Sequence, residues 1–82
     1  MNQTEKLQGI IGESFHARRL EKGLTMRALA RRSNVCVAEI CRIESGSSNI
    51  TLHVLASVCA GLEIALDKFI EGALQRARDD KA

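Results

Sequence analysis

The chain has no proline, tryptophan or tyrosine, and its aromatic content is Phe15 and Phe69 alone. Sheet cores draw heavily on aromatic side chains, so their scarcity leaves a core of leucine, isoleucine, valine and alanine, and this favours helix. No run of 18 apolar residues occurs, which excludes a membrane-spanning helix. Met1 to Thr4 leads into Glu5 and Lys6 rather than into an apolar signal core, so the sequence predicts a cytoplasmic protein. Cys36, Cys41 and Cys59 are an odd number with no CxxC pair, which indicates neither a disulfide framework nor a zinc finger and fits reduced thiols. Adding His16 and His53 produces no recognised ligand spacing, so no metal is expected. Also missing are a glycine-rich phosphate loop, a carboxylate pair with a pocket, and a nucleophile, base and orienting group in readable order. The expectation is a protein that is not an enzyme and that uses no cofactor and no small-molecule ligand.

What is present fits one small domain over residues 1–82, long enough for one core and too short for a separate regulatory domain. The net charge of +2 hides an uneven distribution. Between Arg18 and Arg42 stand Arg18, Arg19, Lys22, Arg27, Arg31, Arg32 and Arg42 against Glu21 and Glu39, a net charge of +5, while the remainder is net acidic. That bias suits a surface that meets phosphate, and it equally describes an ordinary charged helix face.

Apolar spacing divides the chain into five predicted helices. The first covers about 5–22, with Leu7, Ile10, Ile11 and Phe15 inward and Gly23 as its stop. In the stretch LTMRALARRSNVCVAEICRIESG, residues 24–46, Thr25 is a good N-cap and Asn34 suits a left-handed turn position. Ile40 and Ile43 then repeat at i, i+3, so two helices of about two turns, 26–32 and 37–44, are joined by a tight turn. Helices this short are marginal alone in water and must pack on flanking elements. The polar segment 45–49, with Gly46 available for positive φ, leads to Thr51 as N-cap of a fourth helix whose Leu52, Leu55, Ala56 and Cys59 face the core. A fifth helix, about 66–78, carries Leu66, Phe69, Ile70, Ala73, Leu74 and Ala77 on one face, more than a four-helix core needs. Part of it, Phe69, Ile70 and Leu74, is expected to form a dimer interface; residues 79–82 are expected to fray.

The two short helices and their turn, about 25–45, resemble the helix-turn-helix of the XRE family, which includes lambda-type phage repressors, Cro proteins and controller proteins of restriction-modification systems. The resemblance is carried jointly by Gly12, Arg19, Gly23, Leu24, Thr25, Leu29, Ala30, Val35, Ile40, Ile43, Glu44, Gly46, Leu52, Leu55 and Leu62. It implies an all-α, five-helix lambda-repressor-like fold whose third helix enters the major groove of double-stranded DNA.

With Ile40 and Ile43 inward, Val37, Ala38, Cys41 and Arg42 are left to face the groove, with Glu39 at the side. Arg42 is the strongest base-reading candidate, because a guanidinium bonds bidentately to O6 and N7 of guanine. The competing reading of Arg42 is a solvated arginine paired with Glu39 at i−3. Val37 and Ala38 suit thymine methyl groups. Phosphate contacts are expected from Arg27, Ser45, Ser47, Ser48, Asn49, Thr51 and His53, with Arg31 and Arg32 towards the turn as weaker candidates. Three departures from the family pattern stand out: Met26 replaces a usual glutamine, Glu39, which could accept from a cytosine amino group or orient an arginine, stands where the family often has an aromatic residue, and Cys36 replaces the usual Ser or Thr cap. A thiol at that helix start is a redox candidate, outweighed by its reading as a small tolerated hydrophobe. The resemblance further implies that Arg19 and Glu44 form a structural ion pair.

Together these readings predict a sequence-specific transcription regulator, a homodimer on a near-palindromic operator. The string RRLEKGLT, residues 18–25, the small size and the fifth helix resemble the restriction-modification controllers in particular. The rival expectation is an antitoxin or protein-interaction module whose fifth helix holds another protein.

Overall fold

The computed structural model describes residues 2–79, and all of its regular structure is helical. The elements are α1 (Gln3–Glu21), α2 (Met26–Ser33), α3 (Val37–Glu44), α4 (Leu52–Gly61) and α5 (Leu66–Asp79).

Each helix boundary has a local cause. The α1 helix begins two residues earlier than the apolar pattern suggests, because Asn2 and Glu5 form a reciprocal capping box. The Asn2 Oδ1 accepts from the Glu5 amide at 2.8 Å, and the Asn2 amide donates to Glu5 Oε1 at 3.2 Å. Gly23 at φ 67 turns the chain out of α1, and Gly46 at φ 79 does the same after α3. Thr25 Oγ1 accepts from the Ala28 amide at 3.0 Å and Thr51 Oγ1 from the Val54 amide at 3.1 Å, so both threonines cap their helices. Between α2 and α3, Asn34 adopts φ 55 and the Val35 amide donates to the Ala30 carbonyl, closing the turn. The Cys36 thiol stands at the N-cap of α3 and makes no capping bond. At the far end, Asp79 is the last residue of α5, held by Gln75 at 3.0 Å; the rest of the expected tail, 80–82, lies outside the described residues.

The inward stripes meet in one contiguous cluster in which Phe15, Leu29, Ile40, Ile43, Val58, Cys59 and Leu62 are almost fully buried. α2 packs on α4 and on α3, while α1 packs on both α3 and α5. The contact between α1 and α3 is close at Gly12, where a Cβ would overlap the Ile43 carbonyl oxygen. Leu52 departs from expectation: it is 69% exposed, because the buried stripe of α4 runs through Leu55, Val58 and Cys59 to Leu62, one turn beyond it.

Candidate nucleic-acid interface

Burial of Ile40 and Ile43, each 1% exposed, fixes the rotation of α3 about its axis. The remaining side chains at the start and middle of the helix then face out: Val37, Ala38, Cys41 and Arg42 are all exposed. The structure therefore brings the four candidate base readers onto one solvent-facing surface.

Arg42 is not a free cation on that surface. Its Nη2 donates to Glu39 Oε1 at 2.6 Å, and the second carboxylate oxygen of Glu39 accepts from the Ser48 hydroxyl at 2.7 Å. The bond from Ser48, and then that from Arg42, hold the Glu39 carboxyl below the ordinary carboxylate value, and Glu39 in turn raises the Arg42 guanidinium. Ser48, expected among the phosphate contacts, is buried in this structure, and its hydroxyl donates to Glu39.

The other phosphate candidates remain at the surface. Arg27 and Arg31 are exposed and have no ion-pair partner among the described residues, whereas Arg32 lies 3.7 Å from Glu63. Ser45 and Ser47 are exposed and close the end of α3, their hydroxyls donating to the Arg42 carbonyl at 2.9 and 3.3 Å. Asn49 accepts from Gln8 at 2.7 Å, tying the loop after α3 to α1. Thr51 and His53 are exposed at the start of α4. The Thr51 oxygen is occupied by the Val54 amide, which leaves the hydroxyl proton as its donor.

Behind this surface Arg19 and Glu44 form a buried, two-point ion pair. Arg19 Nε donates to Glu44 Oε2 at 2.7 Å and Nη2 to Oε1 at 3.0 Å, while Nη1 donates to the Leu24 carbonyl at 2.8 Å. One guanidinium thus joins α1, the start of the helix-turn-helix and the last residue of α3. His16 Nδ1 joins the same carboxylate at 2.7 Å, a member that sequence reading missed although it stands one turn before Arg19 on α1. Burial acts to raise the Glu44 carboxyl, but the bonds from Arg19 and His16 prevail and hold it below its ordinary value.

The apolar face of α5 is only partly free. Phe69, expected in the dimer interface, is drawn into the chain's own core, where its ring stacks on Phe15 at a centroid distance of 4.6 Å. Ile70 is half-buried and Leu74 is 37% exposed. The exposed thiols are Cys36 and Cys41; burial pushes the Cys59 thiol up to about 11. Among the described residues no group of His, Cys, Asp and Glu is arranged to hold a metal ion, and no helix is long and apolar enough to cross a membrane.

Comparison with known proteins places this geometry. Residues 15–69 match the helix-turn-helix family. The fold is similar to that of the wild-type restriction-modification controller protein C.Esp1396I, with 33% identity over 84% of this chain and 90% of that one, and a TM-score of 0.76. A point mutant of the same controller matches at 31% identity over 92% of this chain and 95% of the other, with a TM-score of 0.80. The clp gene regulator ClgR from Corynebacterium glutamicum matches at 30% identity over 90% of this chain and 84% of that one, with a TM-score of 0.75. No curated protein matches by sequence. The chain belongs to the XRE-type helix-turn-helix family of DNA-binding transcriptional regulators.

Proposed function

We propose that the protein is a sequence-specific regulator of the restriction-modification controller kind, acting as a homodimer on a near-palindromic operator. The observation that carries this reading is the split of α3: Ile40 and Ile43 inside, Val37, Ala38, Cys41 and Arg42 outside. Arg27 on α2 and the exposed residues of 45–53 flank that face with groups suited to phosphate. Inserting α3 of each subunit into successive major grooves sets half-sites about 34–36 Å apart, roughly 10 bp centre to centre. Ile70 and Leu74 on α5 supply the apolar surface for the second copy.

Selection of sites from random duplex DNA by the purified protein, followed by titration at two salt concentrations, tests the reading. A paired motif whose affinity falls steeply with salt is expected, because phosphate contacts release counterions. Absence of an enriched motif would leave the protein-interaction module as the better description. The dimer is tested separately by Ile70→Glu with Leu74→Glu: sedimentation is expected to show monomer, and an intact dimer would place the interface elsewhere.

A further inference from the structure

A continuous chain of polar contacts runs from the interior of the protein to its reading face: Ser48 Oγ to Glu39 Oε2 at 2.7 Å, then Glu39 Oε1 to Arg42 Nη2 at 2.6 Å. We propose that Glu39 is a specificity-determining positioning residue, anchored by Ser48, which holds the Arg42 guanidinium ready for the edge of a guanine; this rests on the reading of α3 as the helix that meets DNA.

Each oxygen of the carboxylate has its own partner, so the carboxylate plane is set from both sides. The Ser48 end is buried at 7% exposure, while the Arg42 side chain is 55% exposed. A long arginine side chain without such a tether loses its rotamer freedom when it docks; a tethered one has lost much of it beforehand. The tether takes one Nη2 hydrogen; the second Nη2 hydrogen, with the neighbouring N–H on the edge that Glu39 does not occupy, leaves a two-donor fork for the ligand.

Charge selects the ligand further. Paired with Glu39, the arginine presents donors without net positive charge, and the neighbouring carboxylate repels phosphate. The groove edge that suits a donor fork of this kind carries two adjacent acceptors. Guanine offers them as O6 and N7, whereas adenine places an amino donor beside N7 and thymine a methyl group beside O4. Serine at 48 therefore acts on sequence preference through Glu39, from a buried position behind the reading face.

The test measures binding of wild-type, Arg42→Ala, Glu39→Gln and Ser48→Ala proteins to the selected operator and to operators substituted at each position, at two salt concentrations. All three variants are expected to relax the preference at the same guanine. Arg42→Ala loses about tenfold or more of discrimination there, and Glu39→Gln and Ser48→Ala lose progressively less. Glu39→Gln also unmasks the arginine charge, so its salt dependence steepens by about one phosphate contact. A purely structural Glu39 would weaken every position alike and would not steepen the salt dependence. Melting followed by circular dichroism checks that each variant is folded; should Ser48→Ala fail to fold, Glu39→Gln carries the test alone. Relaxation by Arg42→Ala with wild-type preference kept in Glu39→Gln would overturn the role of Glu39 and leave the regulator reading intact. Failure of the wild-type protein to select any site would overturn both.

Discussion

Helix α3 supplies a glutamate to each of two arginine–glutamate pairs, one with Arg19 of α1 and one with its own Arg42, and the two pairs do different things with the same chemistry. Glu44 meets Arg19 in two bonds, with side chains 4% and 8% exposed. Glu39 meets Arg42 in one bond, with side chains 21% and 55% exposed. A buried charge has given up its water, so removing its partner leaves an uncompensated ion in a poor solvent. An exposed charge keeps most of its hydration, and losing its partner changes stability little. The inner pair therefore belongs to the fold, aligning α3 against α1, and the outer pair is free to serve recognition.

Breaking the inner pair should have the largest effect. Arg19→Ala is expected to cost about 3–5 kcal/mol in urea unfolding, since Glu44 would stay buried without its cation; a cost below about 1 kcal/mol would place the pair in the surface class. Acid should report the same contact. The Glu44 carboxyl is held below its ordinary value of 4.5, so its stabilising contribution is complete above that value and is lost as pH falls through the lower, folded value. Wild-type stability is thus expected to decline below about pH 4.5, whereas Glu44→Gln starts less stable at neutral pH and declines less steeply. Parallel slopes in pH-dependent unfolding would remove Glu44 from that role.

A smaller effect sharpens the contrast at the start of the same helix. Cys36 makes no capping bond, and Cys36→Ser is expected to stabilise the protein by about 1 kcal/mol by supplying an oxygen to an α3 amide. Thermal melting checks this; a lower melting temperature would mean that the thiol packs better than it caps. The smallest effect on stability belongs to the outer pair: Arg42→Ala should leave the unfolding midpoint unchanged while relaxing sequence preference. A large drop in its midpoint would dissolve the distinction between the pairs.

Much of this architecture could be read locally. The Thr25 and Thr51 caps, the left-handed Asn34 and the inward Ile40 and Ile43 depend on neighbours within a turn or two, and their residue types state their roles. The Asn2–Glu5 capping box was equally local, and following apolar spacing alone hid it, because neither member is apolar. Other features depend on which surfaces meet. Periodicity shows that Phe69 shares a face with Ile70 and Leu74, but not that Phe15 of α1 claims the ring. The pairing of Arg42 with Glu39 was visible as an i−3 relation. The anchor from Ser48 was not, since Ser45, Ser47 and Ser48 are alike in sequence and only the path of the loop selects one for burial.

The most direct test of the claim that the outward side of α3 meets DNA is backbone amide NMR of the protein titrated with its selected duplex. The largest shifts are expected at Val37, Ala38, Cys41 and Arg42, with a second group at Arg27 and in the 45–53 segment. Shifts concentrated on Ile70 and Leu74 of α5, with α3 unmoved, would contradict it.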